Sequence, residues 1–566
     1  MLLAQQPRST TASLHGSAVQ IRRAGAVILV MSVVALAVIA PFFFKGDASG
    51  HDFEFHVASW MEVARQWYEG VFYPRWAALA NFGYGEPRFI FYPPASWMLG
   101  AGLSLVLPWR AVPAAYYFVT LLLAGCAMYR LGREWLDPPN AIGAGALFAA
   151  NPYHLLVVYW RSDFAELLAS AVFPLLLLSL LQLGREPRRF LKLPAVVAFI
   201  WLANAPAGVI ASYSAALMLI VIARSRRSIQ PVVYGAVTIV LGLAVAAFYI
   251  VPAAFEQPWV SIAQVLSSGL RPQENFLFTV TSDPEHTLFN FIASGVAVGM
   301  LAALGIAVSF ARSIRERSPL LWWMLTSLSL ACILLMAPVS SVLWTYLPKL
   351  RFVQFPWRWL FPLSVPMVAF VTSALLRART RVRIAFWILS FTALGVCGWL
   401  LAAGADWDTD DVNDLREAII EQATGYVGTD EYAPRDADPY DVDKRAPRVA
   451  EVVSREERRT LDAPAITIER WYSELKAFTV TMDRPATLIL RLLNYPAWRV
   501  QRDGQTVEAR SSEGTGQVLI SVPAGTSHVR VDFIRTSDRT VGGCISLVAL
   551  AAWVLLFFRY TALKKT

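Results

Sequence analysis

The sequence predicts a polytopic α-helical membrane domain followed by an antiparallel β domain and a closing membrane helix. Three observations carry this expectation. The 566 residues are 56% hydrophobic and only 16% charged, with a mean hydropathy of +0.47, outside the soluble globular range. Apolar runs near the length that spans about 30 Å of hydrocarbon recur along most of the chain. Past residue 404 the pattern changes to period-two alternation between turn residues, the signature of half-buried strands.

The apolar runs fall at 24–44, 112–130, 140–157, 164–183, 193–204, 207–223, 231–251, 288–310, 319–337, 357–376, 384–403 and 541–558. One more, Phe89 to Leu107, is also long enough to cross, and the basic residues decide whether it does. If it lies along the outer surface, the clusters Arg22/Arg23, Arg130/Arg133, Arg185/Arg188/Arg189/Lys192, Arg224/Arg226/Arg227, Arg312/Arg315/Arg317, Arg377/Arg379/Arg381/Arg383 and Arg559/Lys564/Lys565 all face the cytoplasm. If it crosses, the early and late clusters cannot all be inside. The expected layout is therefore an outer juxtamembrane helix at 89–107, about twelve spans in the cell membrane, and both termini in the cytoplasm. It divides into a cytoplasmic tail 1–23, a membrane domain 24–403 with large outer loops 45–111 and 252–287, an extracytoplasmic segment 404–540, and a last helix and tail 541–566.

The first helix runs into Ala40-Pro41-Phe42-Phe43-Phe44, a poor cleavage site, so it reads as a retained anchor. The net charge of +9 is mostly anchoring charge on the inner face, and no basic stripe is left for nucleic acid. Cys126, Cys332, Cys397 and Cys544 all sit in or beside apolar spans, so no disulfide or thiolate metal site is expected in the outer segments.

Residues 406–443 are acidic and turn-rich, and alternation then sets in at 466–471, 478–482, 487–491, 518–522 and 528–533. Asp503-Gly504 between Trp498-Arg499-Val500 and Thr506-Val507-Glu508 marks a hairpin. An acidic linker followed by a sandwich-like β domain is expected.

The chemistry-bearing residues concentrate in the outer loops. Gly50-His51-Asp52-Phe53-Glu54-Phe55-His56 places two acids and two histidines at a membrane exit, where ionisable groups are costly to keep. Asp52 and His56 are four apart, so on a helix they share a face and can point into one cavity. Asp47 or Asp52 can instead serve as the N-cap of the helix through Trp60 to Tyr68, with Glu54 in its first turn. Further along lie Tyr73-Pro74-Arg75-Trp76, Gly83-Tyr84-Gly85-Glu86-Pro87-Arg88 and Phe91-Tyr92-Pro93-Pro94. Their aromatics suit the headgroup level, while Arg75 and Arg88 suit a phosphate.

In the second loop Arg161, Asp163 and Glu166 crowd a helix start, as a site or as mutual ion pairs. Lys349, Arg351 and Arg358 concentrate positive charge on the outer side, against the topology rule, for an anionic ligand or for interfacial anchoring. Six scattered histidines build no three-histidine zinc site. There is no Walker loop, no His-Glu-x-x-His pair and no Gly-x-Ser-x-Gly elbow, and the spans are mostly free of internal charge.

One span, a long acidic first outer loop with juxtamembrane helices, the Tyr92-Pro93-Pro94 segment and a second acidic outer loop together resemble the membrane glycosyltransferases of the GT-C fold. Asp52 with His56, Tyr73-Pro74-Arg75-Trp76, Gly83-Tyr84-Gly85, Phe91-Tyr92-Pro93-Pro94, Gln354-Phe355-Pro356-Trp357-Arg358 and Gly428-Thr429-Asp430-Glu431-Tyr432 are similar to a bacterial group of membrane proteins labelled 6-pyruvoyl-tetrahydropterin synthase-related, with relatives in the YfhO-like family. That label does not describe an activity, because a pterin synthase is a soluble zinc enzyme and this chain has no histidine triad for the metal.

The GT-C resemblance implies hexosyl or pentosyl transfer, inverting, from a polyprenyl-phosphate donor in the membrane lipid to a glycan, lipid or protein acceptor on the outer face. It implies Asp52 as the loop carboxylate that takes the acceptor proton or orients the acceptor, with Glu166 or Asp163 matching the second-loop acid. His51, Glu54, His56, Arg75, Arg88, Arg161, Lys349, Arg351 and Arg358 are the accompanying candidates for substrate binding. No cofactor is implied with certainty. Some members carry Asp-Asp or Asp-Glu in the first loop and use a divalent metal; His51-Asp52 stands there instead, so a metal is not indicated. The rival reading is a lipid or polysaccharide transporter or an envelope-assembly scaffold on the same fold. A transporter requires a continuous polar route, a transferase one outward cavity ending at the acids.

Overall fold

The computed structural model describes residues 10–186, 191–453, 457–461 and 465–563. Residues 1–9 of the expected tail and the expected anchors Arg188, Arg189, Lys564 and Lys565 lie outside the described residues. The first helix begins at Thr10, inside the segment expected to be an unpatterned tail.

Among the described residues nine helices are long and apolar enough to cross a membrane, and a tenth is the pair Gln230–Val245 and Ala247–Phe255, bent by 76°. The two remaining apolar runs form the shorter helices Leu193–Ala203 and Leu360–Ala374. Leu193–Ala203 stops because Asn204 turns extended and its side chain accepts from Ala207 N at 2.9 Å, which caps the next helix, Ala205–Arg226. The helix Phe164–Arg185 is central and almost wholly buried, whereas Thr380–Gly404 is peripheral and mostly exposed.

The Phe89 to Leu107 run is split into Arg88–Phe91 and Pro94–Ser104 at Tyr92-Pro93. Eleven residues at 1.5 Å per residue fall well short of a bilayer, so this segment does not cross as one helix. It packs on the helix Phe53–Tyr68 instead. A Cβ on Gly100 would come within 2.2 Å of the Trp60 ring, so the absence of a side chain there sets the approach of the two helices.

Two short strands, β1 (Asp47–Ala48) and β2 (Trp407–Asp408), pair antiparallel and bring the end of Thr380–Gly404 beside the first loop. The expected β domain is then built from β3 (Val449–Val452), β4 (Arg458–Thr460), β5 (Ile466–Trp471), β6 (Leu475–Met482), β7 (Ala486–Leu493), β8 (Trp498–Arg502), β9 (Gln505–Val507), β10 (Arg510–Ser511), β11 (Gln517–Val522) and β12 (Gly525–Phe533). They form two five-stranded sheets, in the orders β10-β11-β7-β3-β4 and β5-β6-β12-β8-β9. Alternating residues such as Phe478, Val480, Leu488, Leu490, Val529 and Val531 fill the space between them. Asp503 and Gly504 both take positive φ, 50° and 79°, as a two-residue hairpin requires.

The first loop reaches into this domain. Trp76 is fully buried against Trp498, at 5.3 Å between ring centroids, and Leu493 N donates to Tyr84 O at 2.9 Å. On the other side the carboxylate of Glu256 accepts from Arg539 at 2.8 Å and 3.0 Å and from Tyr495 at 2.5 Å, all three groups being buried. The β domain and the last helix are thereby fixed over one end of the bundle.

Candidate active site

That end of the bundle holds a cavity of about 780 Å³. The first loop enters it through Gly50, which runs directly over the second-loop backbone: a Cβ there would lie 2.5 Å from Trp160 O. Gly50 N donates to Ser162 Oγ at 3.1 Å, His51 N to Trp160 O at 3.3 Å and Asp52 N to Arg161 O at 2.9 Å. Ser162 itself takes the left-handed conformation, φ 50°, after a widened helical turn at Val157–Arg161. This turn lets Arg161 and Asp163 converge on the same space.

Asp52 occupies the N-cap position of Phe53–Tyr68, but its side chain makes no cap hydrogen bond. Its Oδ2 pairs with Arg161 Nη2 instead, and the side chain is 32% exposed against 7% for Arg161. Arg161 lies over the rings of Phe355 and Trp357, at 5.0 Å and 5.3 Å, and its buried Nε has no partner. Asp47, the other expected cap, is instead in β1 beside Asp408 and Asp411. Burial, reinforced by Asp411 and Asp408, pushes its carboxyl up to about 7.

Asp163 caps Phe164–Arg185 by accepting from Glu166 N at 2.9 Å. Its carboxylate also meets His56 Nε2 at 3.6 Å, Arg358 Nη2 at 3.2 Å and Arg161 Nη2 at 3.7 Å. Burial alone would raise this acid, but the nearby His56 and the two guanidinium charges outweigh it and hold it well below the usual carboxylate range. Glu166 lies a layer deeper, bonded to Arg358 Nε at 2.8 Å and to the Tyr153 hydroxyl. Arg358 is therefore shared between two buried acids.

Arg358 is aimed by a strained turn. Gln354 has φ 65° and ψ −56°, and Phe355 N donates back to Val353 O at 2.7 Å. The Gln354 side chain accepts from Arg358 Nη1 at 3.3 Å and donates to Val265 O at 2.9 Å.

Of the residues singled out in the sequence, His51, Asp52, Glu54, His56, Arg88, Arg161, Asp163 and Arg358 line the cavity, and Glu166 backs it. His51 opens onto the cavity; burial and the Arg161 charge lower its imidazole to about 4, so it is neutral at pH 7. Arg88 is buried, with Nε on Glu86 at 2.6 Å, Nη1 on Ser59 at 3.0 Å and Nη2 on Thr429 at 3.1 Å.

Three expected binding residues are placed elsewhere. Arg75 lies against the Tyr73 ring at 4.1 Å, with its backbone N on Glu474 at 3.0 Å, at the junction with the β domain. Lys349 and Arg351 are exposed beside the Phe352 ring, because the turn at Gln354 sends Arg358 inward and leaves them outside. Sequence reasoning assigned no site role to Glu431, Tyr432, Asn275 or His286, all of which line the cavity. Glu431 and Tyr432 belong to the Gly428–Tyr432 motif. Asn275 and His286, joined at 2.8 Å, had no local signal. Among the described residues no group of three or more His, Cys, Asp or Glu side chains is placed to hold a metal ion.

The structure is similar to that of the arabinofuranosyltransferase AftD from Mycobacteria, at 18% identity and TM-score 0.45, over 67% of this chain and 26% of AftD. It is also similar to the oligosaccharyltransferase AglB from Archaeoglobus fulgidus in complex with an inhibitory peptide and a dolichol-phosphate, at 13% identity and TM-score 0.42, over 74% of this chain and 61% of AglB. A third similar structure is ArnT from Cupriavidus metallidurans bound to undecaprenyl phosphate, at 15% identity and TM-score 0.40, over 71% and 70% of the two chains. Comparison of the sequence with curated proteins returned no match. The family description "6-pyruvoyl-tetrahydropterin synthase related domain; membrane protein" matches residues 89–403, more than half of the sequence. The chain belongs to this family of membrane proteins.

Proposed function

We propose that the protein is a membrane glycosyltransferase that moves a sugar from a polyprenyl-phosphate carrier to an acceptor at the outer face of the membrane, with Asp52 as the base. One observation carries this reading: a carboxylate partly open to a large cavity, held by a buried cation, with two further acids fixed behind it.

In such a transfer the acceptor oxygen bonds to the anomeric carbon as the bond to the carrier phosphate breaks. A base must take the acceptor proton, and a cation must meet the charge left on the phosphate. Asp52 has the exposure for the first task. Arg161, the cavity-lining cation beside Asp52, has the position for the second. Asp163, itself fixed by Arg358, holds His56 and Arg161 in place, so little reorganisation is needed when charge develops. Arg88, tied to Glu86, shapes the wall and is not assigned to the phosphate.

The cavity floor favours transfer over transport. Below Arg358 the bundle is filled by Glu166, Tyr153 and the edge-to-face pair Phe173–Phe361, at 4.8 Å between centroids. The test is acceptor-dependent release of polyprenyl phosphate from labelled hexosyl and pentosyl donors by the protein in nanodiscs, with a membrane-glycan extract as acceptor. Release by the wild type and its loss in Asp52→Asn are expected. No release from any donor, or equal release by the variant, overturns the proposal.

A further inference from the structure

One wall of the cavity does not come from the membrane helices. It is made by residues 426–432, the segment that leads toward the β domain. Tyr426 N donates to Leu79 O and Phe82 N to Tyr426 O, each at 3.1 Å, and Thr429 N donates to Glu86 Oε2 at 2.8 Å. A Cβ on Gly428 would lie 2.1 Å from Asn81 Oδ1, so the segment is pressed against the first loop. The wall is thus built into the fold.

Its surface combines rings with one uncommitted acid. Tyr432 stacks on Phe91 at 5.9 Å and 10°, and Phe55 sets its edge against Tyr92 at 4.7 Å and 82°. Among the described residues no other side chain pairs with the carboxylate of Glu431. Burial, with Glu86 and Asp430 nearby, outweighs the Arg88 charge and pushes this carboxyl up to about 7. Residues 426–432 carry no cation, and the nearest guanidinium on this side, Arg88, is engaged by Glu86, whereas Arg161 and Arg358 lie at the loop acids Asp52, Asp163 and Glu166. A ligand carboxylate or phosphate on this wall would meet Glu431 and no free cation.

We propose that this wall is the acceptor subsite and that Glu431 selects a saccharide without acidic groups, whose hydroxyl or ammonium group donates to the Glu431 carboxylate while its C–H face lies on the ring of Tyr432, which Phe91 backs. This rests on the glycosyl-transfer reading for the presence of an acceptor, but it is tested without turnover.

Full-length protein in nanodiscs is applied to immobilised oligosaccharides of three kinds: neutral, amino-sugar and uronate-bearing. Binding to the neutral or the amino class is expected, with uronate glycans weaker by roughly tenfold or more, the scale of one lost charge-assisted hydrogen bond. Neutral binders identify hydroxyl recognition, and amino-only binding identifies an ammonium. Glu431→Gln should weaken the selected class by about tenfold, and Glu431→Lys should shift preference toward uronates. If either variant melts below the wild type, Glu431→Asp, which keeps the charge and shortens the reach, gives the same reading. Binding confined to uronates, binding to no glycan, or unchanged affinity in the variants overturns the subsite. Donor turnover measured in parallel separates the two ideas, since failure of transfer with selective glycan binding intact removes only the transferase assignment.

Discussion

Asp52 and Arg161, 109 positions apart in the sequence, form an ion pair at the cavity, and their backbones are joined as well, Asp52 N donating to Arg161 O at 2.9 Å. The first and second loops therefore present one acid and one cation as a unit. The backbone tie fixes where the pair sits, while the exposure of Asp52 leaves its carboxylate accessible to a ligand.

Turnover should separate Asp52 from Asp47. Asp52→Asn keeps size but removes the basic oxygen, and acceptor-dependent donor cleavage should fall by roughly 10²- to 10⁴-fold, the usual cost of losing a general base. Asp47→Asn, whose carboxyl lies in the β1–β2 pairing, should leave cleavage nearly intact. Equal small effects at both positions would make Asp52 structural and move attention to Glu166.

Removing the Arg358 guanidinium should destabilise the protein strongly. Arg358→Met leaves Asp163 and Glu166 buried without that cation, at a cost of roughly 3–5 kcal/mol. Thermal melting in detergent should show a clear drop, and Arg358→Met with Glu166→Gln should recover part of it. A variant that melts like the wild type would mean that water reaches these acids.

The link between Glu256 and Arg539 should hold the β domain on the bundle. Arg539→Met removes two hydrogen bonds to a fully buried carboxylate. Limited proteolysis should then cut within residues 404–445 faster than in the wild type, leaving a C-terminal fragment in which the β domain stays folded on the last helix. Identical digestion patterns would show that Trp76 and its ring contacts suffice.

Asp47 predicts a pH-dependent gain. Its folded carboxyl is pushed up to about 7 from the ordinary value of 3.8, so the folded state binds more protons than the unfolded state between those values. The stability of the wild type should therefore fall as pH rises from about 4 to 7 and level off above, as far as this group contributes. Asp47→Asn, always neutral, should gain melting temperature relative to the wild type across that window. A difference that does not grow with pH would contradict the buried-acid description.

Orientation can be read by cysteine labelling in a background lacking the four native cysteines. Positions 109, 132 and 186 are Trp, Gly and Glu; a cysteine at 109 should label from outside and those at 132 and 186 from inside. Labelling of 109 only from the cytoplasm would reverse the assigned faces.

Much of the architecture is legible in the sequence. Apolar runs are local signals, and each of them became helix, because a chain in a bilayer must satisfy its backbone hydrogen bonds within the segment. Period-two alternation and Asp503-Gly504 identified strands and a hairpin for the same reason: pleat and turn geometry act over a few residues. His51, Asp52 and His56 drew notice because ionisable groups beside lipid are costly wherever they occur. What the sequence could not decide was which charges meet. Arg75, Lys349 and Arg351 looked as suitable for the cavity as Arg358, yet the positive φ at Gln354 turns only Arg358 inward, and the β-domain junction takes Arg75. Glu431 entered the wall only because residues 426–432 pair with Leu79 and Phe82, hundreds of positions upstream. By itself, then, the sequence determined the membrane domain, the β domain and the loop acids, since composition and periodicity are local properties. The tertiary structure alone decided the ion pairs of Arg161 and Arg358 and the free carboxylate of Glu431, because pairing depends on distances across loops that no spacing along the chain encodes.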